Sequence, residues 1–248
     1  MNEINLSMRL LKVAEALPEG RVIADIGSDH AYLPCYLCGN GKIPAAIAGE
    51  VSDGPFLSAL SQVKQLNLTD RISVRKGNGL QVLESGEVEV IVIAGMGGKL
   101  ISEILESGKE KLLGVSRLVL QPNVDSESVR RWLIAHDWQL RSESILEEDG
   151  HIYEILSAEP GKGWLPYEET GETGIRMGPY LMKEKNTAFR KKWRREIEKW
   201  KRVEKQMEHA ADQERLVEKK SLLRERIHET EEMLGGENSE RTNINPGV

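Results

Sequence analysis

Two aspartates and a glycine lie close together where the first apolar run of the chain ends. Residues 22–26 read Val-Ile-Ala-Asp-Ile, which predicts a short buried strand that carries Asp25. Gly27 then permits a tight turn, and Asp29 precedes residues with the character of a helix start. A strand, a glycine turn and a helix N-terminus form the corner at which doubly wound α/β domains bind nucleotides. An ordinary turn after a buried strand is the alternative for this stretch alone.

The residues of this turn narrow the class of ligand. A dinucleotide site would read Gly-x-Gly-x-x-Gly, in which the glycines make room for a pyrophosphate. Here Asp29 places a carboxylate where a diphosphate would bring two negative charges, and the two would repel each other. The turn therefore favours a nucleoside that has no phosphate and carries positive charge, as S-adenosylmethionine does. A nicotinamide oxidoreductase is disfavoured further because the chain lacks a Tyr-x-x-x-Lys pair.

Candidate cofactor-binding residues recur after the next strands. Glu50 ends a second apolar run 25 residues after Asp25, where a carboxylate can accept hydrogen bonds from ribose hydroxyls. Asn78 follows a third run and can donate and accept at an adenine edge, while Gly79 lets that edge approach the backbone. A fourth run ends at Ala94 and continues into a glycine-rich stretch, residues 95–98. The predicted cofactor-binding set is Asp25, Gly27, Asp29, Glu50, Asn78, Gly79, Ala94 and Gly95.

These residues need a layered α/β scaffold to bring them together. Apolar periodicity predicts a helix over residues 6–17 and then alternating strands and helices as far as residue 136. The predicted strands are residues 22–26, 45–51, 72–75, 88–94 and 117–121, and then 138–146 and 151–158. The intervening helices are predicted at about residues 31–39, 53–66, 80–84, 99–107 and 126–136.

The connection between the last two strands is too short for a crossover helix. Residues 147–150 read Glu-Glu-Asp-Gly, which predicts a hairpin turn and an antiparallel final pair. The expected fold is α/β and Rossmann-like, with a mostly parallel seven-stranded sheet and an antiparallel last strand. The predicted organisation is a catalytic domain over residues 1–160, a connector over 161–182, a helical hairpin over 183–235 and a disordered tail over 236–248.

Composition bounds the remaining possibilities. The chain has 248 residues, with 39% hydrophobic and 30% charged residues, a balance typical of a soluble globular protein. No apolar run approaches a membrane span, and the N-terminus lacks the features of a signal peptide. Cys35 and Cys38 have the spacing of a redox motif, but no second Cys or His cluster completes a metal site. We expect two ordinary thiols, no metal and a cytoplasmic location.

Charge is distributed unevenly along the chain. Residues 1–182 carry 17 basic and 26 acidic residues, whereas residues 183–205 carry 11 basic and 4 acidic ones. In that basic segment Phe189, Trp193 and Trp200 begin an apolar stripe at helical spacing. A second stripe starts at Leu216, so two helices are expected to pack as an antiparallel coiled coil. The basic residues predicted on the opposite face of the first helix are Arg190, Arg194, Arg195, Lys201, Arg202 and Lys205.

Several motifs together resemble one known family. They are Leu-Ser-Met-Arg-Leu at residues 6–10, Ala-Asp-Ile-Gly-Ser-Asp-His-Ala-Tyr-Leu-Pro at 24–34 and Ala-Gly-Met-Gly-Gly at 94–98. Leu-Gln-Pro-Asn at 120–123 and Asp-Gly-His-Ile-Tyr-Glu at 149–154 complete the set, and Gly-Pro-Tyr-Leu at 178–181 fits too. The chain thus resembles class I S-adenosylmethionine-dependent methyltransferases, and within them the bacterial tRNA (adenine-N1) methyltransferases of the TrmK type. The long string at residues 24–34 is the most specific of these motifs.

The resemblance implies methylation of N1 of an adenine in the D-arm region of tRNA, at position 22. Adenine N1 holds an in-plane lone pair, so alignment with the methyl donor can supply much of the catalysis. The Asn-Pro-Pro-Tyr signature of enzymes that methylate exocyclic amines is absent after the fourth strand. On this basis the candidate catalytic residues are Asp29, His30 and Asn123, and the candidate RNA contacts are Arg9 and the six basic residues above.

Two other functions remain open from sequence. One is a small-molecule methyltransferase that uses the helical hairpin as a lid or a dimerisation arm. The other is a non-catalytic RNA-binding protein with a methyltransferase-like fold. The expected partner is tRNA, and the sequence implies no membrane and no obligate protein partner.

Overall fold

The computed structural model describes residues 5–208 and 213–235. Internal contacts divide the chain into two units, Met1–Tyr180 and Leu181–Val248. The predicted tail over residues 236–248 and the break between the two helices of the hairpin lie outside the described residues. Within the described part, no helix is both long and apolar enough to cross a membrane.

The first unit is built on one seven-stranded sheet with the order β3-β2-β1-β4-β5-β7-β6. Its strands are β1 Ile23–Ile26, β2 Ala46–Glu50, β3 Ile72–Lys76, β4 Val90–Gly97, β5 Arg117–Val124, β6 Trp138–Glu148 and β7 His151–Pro160. The first five strands pair in parallel, whereas β7 runs antiparallel to both β5 and β6. This confirms the predicted α/β fold class and its reversed last strand.

Helices cover both faces of the sheet. They are α1 Met8–Glu15, α2 Tyr32–Gly39, α3 Asp53–Gln65, α4 Gly98–Ser107, α5 Ser126–Ala135 and α6 Gly171–Met177. The strands β1 and β2 are buried along their whole length, which explains their continuous apolar character. Two clusters of buried side chains, one on each face, form the core. Because β2 and β4 flank β1, the chain order reverses at β1, and ligands of such sheets bind beside this point.

The structure corrects the bounds of two central strands. The fourth strand is predicted to end at Ala94, but β4 continues through Gly97. β5 likewise extends to Val124, so Pro122 and Asn123 lie in the strand. The two strands stay paired across register shifts around Met96, and a bulge of this kind lets a glycine-rich segment remain in the sheet.

The segment predicted as a connector contains helical structure, and its residues up to Tyr180 belong to the first unit. Arg130 of α5 is fully buried, and its Nε donates to Glu143 Oε1 at 2.7 Å. Its Nη2 donates to Glu154 Oε2 at 2.7 Å, and its Nη1 donates to the carbonyl of Ile175 in α6 at 3.3 Å. The backbone N–H of Tyr180 donates to Glu143 Oε2 at 3.1 Å. A buried cation with two carboxylates and backbone acceptors thus joins residues 175–180 to the sheet.

The second unit contains the short α7 Leu181–Glu184 and two long helices, α8 Thr187–Glu208 and α9 Gln213–Leu234. Arg190 near the start of α8 donates to the carbonyl of Leu234 at the end of α9, at 3.1 Å. Further along α8, Glu204 accepts from Arg224 near the middle of α9. Later residues of α8 therefore contact earlier residues of α9, so the two helices run antiparallel. The predicted helical hairpin is therefore present.

Candidate cofactor and active site

A cavity of about 670 Å³ opens where β1, β2, β3 and β4 end. Its volume is within the range usual for small-molecule and cofactor sites. Its polar lining comes from the ends of the strands, from the turns that follow them and from the start of α1. Its apolar lining comes mainly from β4, α4 and α1. The lining residues used below are Arg9, Asp25, Gly27, Ser28, Asp29, Tyr32, Glu50, Asn78, Gly79, Ala94, Gly95, Met96, Leu100 and Ile104.

Glu50 is the buried carboxylate at the end of β2. Its Oε1 accepts from the backbone N–H groups of Val51 at 2.8 Å and Ser52 at 2.9 Å, which fixes the side chain. Within residues 5–208 and 213–235, no donor is in hydrogen-bond contact with its Oε2. The carboxylate of Glu50 is thus fixed, and its Oε2 can accept hydrogen bonds at the edge of a cavity large enough for a nucleoside. Such a carboxylate can bind a pair of ribose hydroxyls.

Asp25 is buried at the end of β1, and Ser28 Oγ donates to its Oδ2. Burial raises the pKa of Asp25 from 3.8 to about 6, while the Ser28 hydrogen bond and the positive charge of Arg9 act in the opposite direction. The negative charge of Glu50 raises this pKa further. The cavity therefore holds an acid whose ionisation a cationic ligand would favour.

The first turn adopts unusual backbone conformations. Gly27 has φ +73°, and two non-glycine residues follow in the left-handed region, His30 at φ 57° and Ala31 at φ 53°. Each non-glycine residue in that region costs roughly 1–2 kcal/mol. Residues 29–31 form a 3₁₀ turn, and the α-helix begins at Tyr32, close to the predicted start at about residue 31. Backbone strain of this kind is concentrated at functional sites.

This turn presents three side chains at or beside the cavity. The Asp29 carboxylate is 70% exposed and lies 3.4 Å from His30 Nε2. The His30 ring stacks on Tyr32, with ring centroids 5.2 Å apart and an interplanar angle of 21°. Asp29 and Tyr32 line the cavity, and the His30 ring stacks on Tyr32 beside it. An exposed acid and a stacked aromatic pair can meet a planar, electron-deficient ring.

The remaining predicted cofactor-binding residues also line the cavity. Asn78 and Gly79 follow β3, and Gly79 has φ +55°, which a side chain would disfavour. Ala94 and Gly95 lie in β4 on the opposite wall. All eight residues of the predicted cofactor-binding set thus surround one space, although their contacts with a ligand stay a prediction.

Asn123 is tied into the protein through its own amide. Its Nδ2 donates to the carbonyl of Gly95 at 2.7 Å, and its Oδ1 accepts from Gln121 Nε2 at 3.0 Å. Gln121 is fully buried, and its Oε1 accepts from the Gly95 N–H at 3.1 Å and from Arg9 Nη1 at 2.5 Å. The predicted role of Asn123 in holding a base would require it to exchange these contacts.

Arg9 and Gln121 show what periodicity alone did not reveal. Arg9 was grouped with the RNA contacts, yet its side chain lines the cavity. Its guanidinium lies 5.4 Å from the centroid of the Tyr153 ring, and its backbone N–H donates to Glu148 Oε2 at 3.1 Å. Gln121 had no predicted role, although a glutamine after Leu-Val-Leu in a buried strand was a usable signal.

The basic residues predicted on α8 differ in their surroundings. Arg194, Arg195, Arg202 and Lys205 are exposed. Lys201 is exposed as well and pairs with Glu231 at 2.6 Å. Arg190 is only partly exposed, and it donates to the carbonyl groups of Lys185 and Leu234. Arg190 therefore caps the hairpin, while the other five lie on its surface.

Neither cysteine chemistry nor a metal centre is evident in the described part of the chain. Cys35 and Cys38 are buried, and burial raises the pKa of Cys35 to about 12, so its thiol stays protonated. Across residues 5–208 and 213–235, no group of three or more His, Cys, Asp or Glu side chains is arranged to hold a metal ion.

A family model described as TrmK, tRNA (adenine(22)-N(1))-methyltransferase, matches residues 23–232. The chain belongs to this family. The match begins at β1 and ends in α9, so it takes in every strand of the sheet and both long helices.

Individual relatives agree with the family model. The tRNA (adenine(22)-N(1))-methyltransferase of Bacillus subtilis (strain 168) is 49% identical over 235 residues, which are 94% of this chain and 99% of the relative. The crystal structure of B. subtilis TrmK has a TM-score of 0.90 at 48% identity and covers 94% of this chain and 100% of that one. A Streptococcus pneumoniae structure in complex with S-adenosyl-L-methionine has a TM-score of 0.82 at 42% identity, covering 93% and 100%.

Proposed function

We propose that this chain transfers a methyl group from S-adenosylmethionine to N1 of adenine 22 in tRNA. The observation that carries the proposal is the acid-lined cavity at the carboxyl ends of the central strands in a chain of the TrmK family. The substrate is then tRNA, and the protein acts in the cytoplasm.

The cavity fits this cofactor through its charges and its backbone. Glu50 accepts hydrogen bonds from the ribose, and Asn78 with Gly79 lies along the adenine. Asp25 and Asp29 supply negative charge for the cationic portion, and Ala94 with Gly95 forms the facing wall. When bound, the cofactor supplies an electrophilic methyl group on a sulfonium. Glycine at positions with positive φ keeps the backbone open for such a ligand.

The target adenine must be positioned, but its methylation does not require a general base. Adenine N1 attacks with its own lone pair, so no proton is removed before the transfer. The ring gains positive charge as N1 is methylated, and the exposed Asp29 carboxylate is placed to stabilise that charge. N1 lies on the Watson–Crick edge, so the adenine must be unpaired or turned out of its stack. We assign the catalytic role to Asp29, with His30 supporting Tyr32 beside it.

The basic surface of α8 supplies contacts to the tRNA backbone in this proposal. Clustered arginines and lysines bind phosphates without reading sequence. Of the exposed members, we assign this role to Arg194, Arg195, Arg202 and Lys205. Arg190 is left out because it caps the hairpin, and Arg9 is left out because its guanidinium lies at the cavity.

The test is the position and chemistry of the methyl group. An unmodified tRNA transcript is incubated with the purified protein and methyl-labelled S-adenosylmethionine, and the product is digested and mapped by mass spectrometry. We expect 1-methyladenosine at position 22, and no label in a matched transcript with guanine at that position. Asp29→Ala should lower turnover by about 100-fold, the order expected when a group that orients or stabilises the reacting atoms is lost.

Other results would overturn the proposal. Label on an exocyclic amine would refute N1 chemistry. Cofactor binding without label in tRNA would favour a small-molecule methyltransferase or a non-catalytic RNA-binding protein. Normal turnover of Asp29→Ala would show that this acid acts only in the turn.

A further inference from the structure

Arg9 stands out among the side chains that line the cavity. Of the lining residues in the described part of the chain, it is the one lysine or arginine, whereas Asp25, Asp29 and Glu50 are acids. S-adenosylmethionine carries two positive groups, the sulfonium and the ammonium, and one negative group, the carboxylate. A cavity with three acids and a single cation matches this charge pattern.

We propose that Arg9 binds the carboxylate of the cofactor's methionine portion and that Gln121 is the positioning residue that holds Arg9. The inference rests on the proposed cofactor and goes beyond it by assigning the residue that recognises one end of the molecule. An arginine is suited to this task because its planar guanidinium can meet a carboxylate with two parallel hydrogen bonds.

The guanidinium is fixed, yet it retains donors. Its Nη1 donates to Gln121 Oε1 and it lies over the Tyr153 ring, so two elements orient it. The backbone N–H groups of Met8 and Arg9 donate to Glu148, which secures the start of α1. A guanidinium has five N–H donors, and within residues 5–208 and 213–235 its Nε and Nη2 contact no acceptor.

Gln121 has the features of a residue kept for positioning. It is fully buried in β5, where an unpaired amide would be costly, and its amide is bonded on both sides. Its Oε1 accepts from Arg9 and from the Gly95 N–H, and its Nε2 donates to Asn123. A Cβ on Gly95 would lie 3.7 Å from Arg9 Nη1, so the guanidinium is next to the cavity wall.

The experiment compares two ligands that differ only in the carboxylate. Calorimetry measures the dissociation constants of S-adenosylmethionine and of decarboxylated S-adenosylmethionine for the parent protein and its variants. Arg9→Met should weaken binding of the first ligand by about 10- to 100-fold, the range for lost charge-assisted hydrogen bonds. Binding of the decarboxylated ligand should change by less than about 2-fold. Lys12→Met on the exposed side of α1 is the matched control and should change neither constant.

Gln121 is tested through its dependence on Arg9. Gln121→Met should weaken binding of S-adenosylmethionine about 10-fold and leave the decarboxylated ligand unaffected. The double variant should bind as Arg9→Met does, because Gln121 acts through Arg9. Gln121→Glu keeps an acceptor for Arg9 and should restore most of the affinity. Arg9→Lys, which keeps the charge without the planar fork, should give an intermediate loss and replaces Arg9→Met if that variant does not fold.

Several outcomes would overturn the inference. Equal losses for both ligands would show that Arg9 supports the cavity and does not read the carboxylate. Unchanged cofactor affinity with a raised KM for tRNA would assign Arg9 to a phosphate of the RNA. Additive losses in the double variant would refute the positioning role of Gln121. Failure of the parent protein to bind either ligand would instead overturn the proposed cofactor, which keeps the two failures distinct.

Discussion

Asp25 shows how a single buried acid couples the candidate cofactor site to folding. Its pKa is about 6 in the folded chain and 3.8 in the reference state, so the folded chain retains the proton over a wider pH range. Well below pH 3.8 the residue is protonated in both states and adds nothing to the pH dependence of stability. Between pH 3.8 and about 6 the unfolded chain ionises first, so the free energy of unfolding falls as pH rises. Above about pH 6 the carboxyl is ionised in both states, and the loss is complete. The ionised carboxylate that lines the cavity is thus maintained at a cost in stability.

Asp25→Asn removes that cost and should stabilise the cofactor-free protein at pH 8. We expect the free energy of unfolding to rise by about 1 to 3 kcal/mol, since each unit of pKa shift corresponds to about 1.4 kcal/mol. The gain should disappear toward pH 4, and the Asn side-chain oxygen can still accept from Ser28. Urea unfolding of both proteins between pH 4 and pH 8 measures the difference.

Asp70→Asn is the matched control for this series, because Asp70 is exposed. Its free energy of unfolding should stay within about 0.5 kcal/mol of the parent at every pH. A lower stability of Asp25→Asn at pH 8 would mean that the ionised carboxylate is favourable in the folded chain. That result would refute burial as the dominant influence on Asp25.

At the scale of residues, position along the chain predicted which side chains surround the cavity. Glu50, Asn78 and Gly79 follow strands whose ends meet at one edge of a parallel sheet, and this rule depends only on strand order. The contacts of Gln121 could not be predicted in the same way. They depend on how β5 lies beside β4 and on where α1 begins, and both are set by tertiary packing.

At the scale of elements, the start of α4 is packed directly against the junction of β5 and α5. A Cβ on Gly98 would lie 1.8 Å from the carbonyl oxygen of Asp125, a backbone atom that cannot move alone. Gly98→Ala should therefore force α4 away from the junction and lower the free energy of unfolding by about 1 to 3 kcal/mol, as overpacking does. Thermal or urea unfolding measures the loss.

Gly54→Ala provides the matched control for the element prediction. Gly54 lies in α3, is exposed, and has no atom within 4 Å of an added Cβ. Alanine there should leave stability unchanged or raise it by up to about 1 kcal/mol, the difference in helix propensity. Equal stability of Gly98→Ala and the parent would show that the backbone at the junction of β5 and α5 can shift without a measurable loss of stability.

Periodicity and turn residues predicted the types of the elements better than their ends. The Glu-Glu-Asp-Gly turn predicted the antiparallel β6–β7 pair, and the structure confirms it. That β7 lies between β5 and β6 did not follow from local signals, because it depends on which edge the hairpin adds to. The fourth strand is predicted to end at Ala94 because the glycines that follow are typical of turns, yet pairing with the longer β5 keeps Gly95–Gly97 in β4.

At the scale of the whole molecule, charge is separated along the chain. Residues 183–205 hold 11 basic and 4 acidic residues, whereas residues 1–182 are acidic overall. On α8 the rings of Phe189, Trp193 and Trp200 lie 6.2 Å apart in succession, and Phe189 and Trp193 are buried. The exposed basic residues are therefore removable without loss of the apolar stripe. This makes the proposed role in RNA binding testable in isolation.

Changing four exposed basic residues of α8 to Gln should weaken tRNA binding while leaving cofactor affinity and helix content intact. Each lost phosphate contact should make the salt slope of log K shallower by about 0.7 to 0.9, so four contacts should reduce it by about 3. Affinity for a tRNA transcript is measured from low to moderate salt, beside calorimetry of the cofactor and circular dichroism. A control variant carries the same charge change at four lysines of the first unit and should keep most of the slope. Equal affinity and slope in the parent and the α8 variant would place RNA recognition elsewhere on the protein. The variant residues are Arg194, Arg195, Arg202 and Lys205, and the control residues are Lys64, Lys109, Lys111 and Lys162.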